Sequence, residues 1–495
     1  MSALDVNSAL SANPSHAHGS IGVVGTTAEW ITTTDHKRIG RLFISGVLIW
    51  LIGVMGVAVV LGVERIDPNS SVVPVDSIVQ LFSFFRTGIA LGVMAPLFIG
   101  LGIVIIPLQV GARAIAFARL SLFGFYSWLI GSGVVVFSII GNGGPSGGNM
   151  AMVDAYLLGV GLIIVGLFAA SISVVTTVIG NRSSSVPMAE IPMFAWSVLV
   201  GGVGLIVTLP IHLGSLIYAA VDHHYDRLVF GGNFGIDKWI GGAFGQPQTF
   251  IYVIPVLGVL AEIAATSDRM RKTMRTGLYF GVGIMSTALL GAVTGTQHLF
   301  EWTGSMSDKL ISAIPFALFN LLPLLGILIV LGMSLLALKN DSSGLLAPLV
   351  PALLGVGMVF TGMLGHAVQM ISSADLSGTV FEEGVSVYIG YGAVLVAIGA
   401  IAHWSNELWG KSLPYGVIIG LGVAGFMATV FASLPYYIAG FTNQTANSVA
   451  DFKDAGANAL WNTSVTVGHV LMALVVIGFV SVVLKPSHST TEATS

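Results

Sequence analysis

Chemistry inside an apolar protein begins with the few side chains able to carry a proton, a charge or a metal, and in this chain they are widely spaced. The eleven histidines stand at 16, 18, 36, 212, 223, 224, 298, 366, 403, 469 and 488, and four of them, His212, His298, His366 and His469, fall inside long apolar runs. Imidazoles at a common depth could ligate a metal. With one histidine per run, the plainer reading is that each hydrogen-bonds within a bundle or to interfacial water. His298 and Glu301 lie three apart in "TGTQHLFEW" (294–302), the spacing of neighbours on one helix face. They are the first candidates for a cation site, although Glu301 reads equally well as a solvated carboxylate at a helix end. In "GQPQTFIYVIPVLG" (245–258), Gln246 and Gln248 flank Pro247 at the mouth of an apolar run, where amides are costly unless paired.

Other charges have simpler expectations. Glu262 is read as a carboxylate at the end of its run, answered by Arg269 or Arg271. Glu382 and Glu383 open another run, where carboxylates suit a helix N-terminus. Arg86 is read either as a buried cation or as a side chain that snorkels to the surface, the surface being preferred. The basic cluster from Arg269 to Arg275 reads as an anchor against anionic lipid.

The elements that must position these residues are membrane helices. With 495 residues, 55% of them hydrophobic and only 8% charged, the chain has too few charges to coat a soluble protein of its size. Runs of about twenty apolar residues, enough to cross a bilayer core, recur from 41–63 to 462–484. Twelve are expected, making the protein all-α and polytopic. Placing both termini in the cytoplasm puts thirteen of the nineteen Lys and Arg residues on that side, as basic loops prefer. Residues 1–30 and 486–495 read as disordered cytoplasmic tails, the first rather than a cleaved signal, and 31–485 as one membrane domain. The sixty-three glycines, as in "GVGLIIVG" (159–166), suit helices packed backbone to backbone.

Five further stretches resemble one family. "TTTDHKRIG" (32–40), "IPLQVGARAIAFARLS" (106–121), "SVVTTVIGNR" (173–182), "VPMAEIPMFAWSVLV" (186–200) and "AHWSNELWGKSL" (402–413), in this order, are similar to subunit I of the haem–copper (cytochrome c) oxidases. The resemblance runs from about residue 32 to 484. It implies twelve helices, cytoplasmic termini, and two haems plus a copper in the outer half of the bundle.

The ligands that the resemblance calls for are missing. Where the family has Gly-His-Pro-Glu-Val-Tyr, this chain has Gly245, Gln246, Pro247, Gln248, Thr249 and Phe250. A neutral amide is a poor substitute for imidazole on copper, and Phe250 lacks the phenolic O–H. Of the paired copper histidines on the seventh helix, Gln297 replaces one and His298 remains. The family's His-Phe-His on the tenth helix falls on Gly384, Val385 and Ser386, and no histidine lies between 36 and 212 to supply the ligand from the second helix. "GFTNQ" (440–444) stands where the family has an Arg-Arg pair for the haem propionates, and Phe319 where it has a proton-path lysine. Phe84, Phe85, Phe250, Phe319, Tyr388 and Tyr391 are expected to fill the space the cofactors would take.

Three functions remain open on these residues. The first is a non-catalytic structural or partner-binding subunit of a respiratory-type membrane complex, beside other membrane subunits such as a subunit II-like protein, with no cofactor expected. The second is a terminal oxidase or other redox enzyme holding haem or copper through non-standard ligands. The third is binding or transport of a quinone, lipid or ion through the vacated cavities. The absence of cysteine excludes thiolate-held clusters, disulfides and S-acyl anchors. No phosphate loop, serine triad or HExxH points to an ATPase or hydrolase, and nothing points to nucleic acid.

Overall fold

A chain this apolar satisfies its backbone hydrogen bonds inside a bilayer by winding into helices, and the computed structural model is a helical bundle. It describes residues 29–67, 73–233, 235–236, 248–266, 272–286, 299–340, 346–449 and 455–485. Among them the only extended pairings outside helices are two isolated bridges, Phe300 with Ile371 and Thr379 with Thr445.

In chain order, α1 is His36–Glu64, and α2 joins Val75–Thr87, Gly88–Met94 and Ala95–Gln109, the middle piece wound as a π-helix. Then come α3 (Ala118–Ile140), α4 (Met150–Gly180), α5 (Met193–His224), α6 (Gln248–Ala265) and α7 (Lys272–Met285). Helix α8 joins Met306–Phe316, Ala317–Leu321 and Leu322–Asn340. The series ends with α9 (Leu349–Gln369), α10 (Val380–His403), α11 (Tyr415–Gly440) and α12 (Ala455–Leu484). By length and composition, 10 of the described helices can cross a membrane, against the twelve expected. The difference lies in α6, whose apolar part is only Ile251–Ala265, and in α7, which stops at Met285.

Sequential helices pack on one another, and α12 returns to α1. Helices α2, α6 and α10 touch each other, and the most apolar windows of α2 and α10 are 100% and 89% buried. The helices from which the resemblance draws its haem ligands are therefore the innermost ones.

Close approach depends on glycine where two backbones meet. A Cβ on Gly124 of α3 would stand 2.7 Å from the Gly166 carbonyl oxygen of α4, and one on Gly131 would stand 2.6 Å from that of Gly159. Only hydrogen fits at these crossings. In the π-wound part of α2, a Cβ on Gly92 would lie 2.9 Å from the Trp50 ring. Trp50 stacks on Phe84 with centroids 5.1 Å apart, and Trp128 Nε1 donates to the Leu91 carbonyl at 3.0 Å.

The recognisable stretches of sequence serve at helix ends. Asp35 caps α1 by accepting the Lys37 N–H at 3.0 Å. Lys411 Nζ donates to the Val483 and Lys485 carbonyls at 2.6 and 2.5 Å, tying the α10–α11 connection to the last turn of α12. Glu262 accepts the Phe194 N–H at 3.3 Å and Gln109 Nε2 at 3.1 Å. That carboxylate holds the start of α5 against the end of α2. The arginines expected to answer it, Arg269 and Arg271, lie outside the described residues.

Candidate functional site

The densest polar chemistry lies where α1 ends and α10 begins. Thr379 caps α10 through the Phe381 N–H at 3.3 Å, which sets Glu382 and Glu383 in the first turn. Both were expected to serve the helix N-terminus, but Glu383 turns into the bundle. It meets Arg65, the residue after α1, whose side chain is 1% exposed. Arg65 Nη1 and Nη2 donate to Glu383 Oε2 and Oε1 at 2.6 and 2.8 Å, a two-pronged ion pair. Nη1 also donates to Tyr436 Oη at 2.6 Å, and Nε to the Ser448 carbonyl at 3.1 Å. The guanidinium carbon lies 4.5 Å from the Phe82 ring centroid and 5.2 Å from that of Tyr436. Glu383 Oε1 also accepts the Asn447 N–H at 2.7 Å, and Asn462 Nδ2 donates to the Arg65 carbonyl at 3.0 Å. Burial works against the charge on Arg65, but Glu383 and Tyr436 together outweigh it and raise the guanidinium pKa above its ordinary value.

Next to this cluster is a cavity of about 20 Å³, bordered by Phe85, Arg86, Ser386, Tyr436, Asn447 and His469 among others. That is room for a water molecule; a small-molecule pocket takes about 300 Å³ or more. His469 Nδ1 and Tyr391 Oη are 2.6 Å apart, both side chains being buried. Arg86 is half-buried and borders the cavity, between the buried and the surface placements that its sequence allowed. Nearby, Gln369 Nε2 donates to Glu382 Oε2 at 2.9 Å.

The other candidates fall as follows. Gln246, Gln297 and His298 lie outside the described residues, as do the side chains of Gln248 and Phe250. Glu301 is exposed and not helical. Its N–H donates to Ser312 Oγ at 3.2 Å, and the preceding Phe300 bridges to Ile371. The helix face that Glu301 was to share with His298 is therefore not formed on its side. His212, His366 and His469 are all buried, but no group of three or more His, Asp or Glu among the described residues could hold a metal. Of the expected space-fillers, Phe84, Phe85, Tyr388 and Tyr391 are buried, while Phe319 is half-buried in the π-wound turn of α8. In "GFTNQ", Gln444 is buried and its carbonyl accepts the Val380 N–H at 2.9 Å, closing the loop over the start of α10.

Comparison with known proteins decides the family. A sequence model of the family described as "Cytochrome C and Quinol oxidase polypeptide I" matches residues 38–477. The chain belongs to that family. Among curated members of the oxidase polypeptide I family, cytochrome c oxidase subunit 1 of Corynebacterium diphtheriae is 27% identical over 314 residues, covering 59% of this chain and 54% of the relative. Quinol oxidase subunit 1 of Bacillus spizizenii is 26% identical over 300 residues, covering 57% and 46%. The matches thus span about half the length of these relatives. A solved heme-copper terminal oxidase dimer shares the fold at TM-score 0.73 and 13% identity, over 91% of this chain and 84% of that one. The protein is an integral membrane protein of the oxidase polypeptide I fold.

Family membership implies haem, and the residues around α10 do not fit it. At Gly384, where the resemblance requires an axial imidazole, even a Cβ would stand 2.9 Å from Tyr437 Cδ1 and 3.1 Å from Tyr436 Cβ. The Tyr437 ring cannot easily yield, because it stacks on Phe381 at 4.3 Å and its hydroxyl donates to the Thr361 carbonyl at 3.1 Å. Ser386 spends its hydroxyl on the Glu382 carbonyl at 3.0 Å.

Proposed function

We propose that the protein is a non-catalytic member of the oxidase polypeptide I family, a helical scaffold that binds other membrane subunits in a respiratory-type complex of a bacterial cell membrane. The observation that carries this reading is the packing at Gly384, where α11 lies against the backbone that would have to carry a haem ligand. The ligand positions that can be compared in sequence agree, with Gln246 and Gln297 in place of copper-binding imidazoles. Relatives named as cytochrome c and quinol oxidases would suggest oxygen reduction coupled to electron entry. At the α10 positions where the resemblance places the axial imidazoles this chain has Gly384 and Ser386.

A scaffold role uses what the sequence keeps: the helix-end motifs, the glycine crossings and an apolar perimeter. Subunit I of the haem–copper oxidases works within a multisubunit assembly, and a subunit II-like protein is the first partner to seek. The test is a pyridine haemochrome spectrum with metal analysis on detergent-purified protein, together with identification of co-purifying membrane subunits. The expected result is less than a tenth of a haem or copper per chain and at least one stoichiometric partner. One haem per chain would overturn the reading in favour of a redox enzyme with non-standard ligands.

A further inference from the structure

The ion pair between Arg65 and Glu383 joins residues 318 apart in the chain. Around the pair are gathered the end of α1, the first turn of α10, Tyr436 of α11 and the Ser448 carbonyl on the guanidinium, the Asn447 N–H on Glu383, and Asn462 of α12 on the Arg65 backbone carbonyl. In the family that this chain resembles, the space between the second and tenth helices is spanned by a haem whose carboxylates are held by arginines. Here the stretch that answers to those arginines, "GFTNQ", is uncharged, and a different arginine, Arg65 at the end of α1, is held by a carboxylate of the chain itself. We propose that the Arg65–Glu383 pair, with Tyr436, is an intrachain replacement for the haem, fastening the four helix ends so that the protein folds and assembles without haem insertion. This rests on the cofactor-free reading above and adds to it a step of maturation from which haem is absent.

Three observations support the assignment. The arginine uses Nε, Nη1 and Nη2 on named partners, so no part of the fork faces away from the cluster. Both oxygens of Glu383 are engaged, Oε1 twice, leaving little of either charge for an outside ligand. The remaining space is about 20 Å³, and Phe85 and the Tyr391–His469 pair close the region beside it. A buried pair of this kind is costly when one partner is removed but not when both are replaced by apolar groups of similar size. The same contrast separates a clamp from an incidental contact.

The experiment compares the full-length protein from a haem-synthesis-deficient host grown with and without haem supply. The proposal expects equal membrane yield and equal melting temperature in detergent, within error. A yield or melting temperature that falls by more than a tenth without haem would overturn it. In the same host, Glu383→Gln and Arg65→Gln should each lower the melting temperature by several degrees, and each should speed proteolysis at the loop around Asn447 at least tenfold. The Arg65→Met, Glu383→Leu double variant should lose less than the sum of the two. Single variants that melt and resist proteolysis like the parent would overturn the clamp while leaving the cofactor-free reading intact. Haem co-purifying with the parent would instead overturn that reading.

Discussion

At the scale of single residues, a buried polar contact between two named side chains can be tested by removing one partner. Tyr391→Phe strips a hydroxyl from the 2.6 Å contact with His469 and leaves a buried ring nitrogen without that partner. A loss of about 1–3 kcal/mol is expected for an orphaned buried group, read as a lower melting temperature with no other change. Gly384→His recreates the ligand that the family resemblance asks for, at a position where a Cβ already stands 2.9 Å from Tyr437. Overpacking of this kind costs about 1–3 kcal/mol, and the variant should show reduced stability and no haemochrome. A haem spectrum from it would mean that α11 yields more readily than its stacked Tyr437 suggests. Gln246→His restores one copper-type ligand and should give no oxygen uptake at an oxygen electrode, because α10 still lacks its imidazoles. The departures from the family's histidine pattern are legible in the sequence, since histidine is either at a position or not. Arg65 was not: in "GVERIDP" it reads as one more external basic residue, and the glutamate that holds it comes 318 residues later.

At the scale of elements, what could be read was whatever depends on local composition. Apolar runs longer than a bilayer crossing gave the helices, and the polar stretches between them gave the turns. Contacts between helices were partly legible too, because "GVGLIIVG" places Gly159 and Gly166 seven residues apart, on one face of α4. They meet Gly131 and Gly124 of α3. Gly131→Leu should therefore wedge α3 from α4, with a steep fall in folded protein recovered after mild heating, whereas Gly133→Leu, whose Cβ would meet nothing within 4 Å, should behave like the parent. Equal recovery of the two variants would count against backbone contact at this crossing. Glu301 shows where local reading fails. Its spacing from His298 suits a helix, but Ser305 and Asp308 form a capping box that starts α8 only at Met306. The S-x-x-D signature of that box was visible in the sequence, and it places Glu301 outside the helix. The pairing of Phe300 with Ile371, by contrast, is a long-range contact with no local signature.

At the scale of the whole molecule, the packing of the first helix on the last constrains how the chain sits in a membrane. Gly62, near the end of α1, lies against Thr466, near the start of α12, where a Cβ would be 2.8 Å from the threonine hydroxyl. Asn462 of α12 donates to the carbonyl of Arg65. The two helices therefore run antiparallel, and the beginning of α1 and the end of α12 emerge on the same side of the bundle. Packing alone does not say which side faces the cytoplasm, but the charges supply an answer. On the twelve-span expectation thirteen of the nineteen basic residues, Lys37, Arg38, Lys411 and Lys485 among them, would fall on the side of the termini, and short basic loops are retained in the cytoplasm. A fluorescent reporter fused after Lys485 should be bright, and an alkaline phosphatase fused there should be inactive. The same phosphatase inserted at Asp67, at the opposite end of α1, should be active. Activity at the C-terminus would reverse the orientation, and activity at both positions would break the antiparallel pairing of α1 with α12.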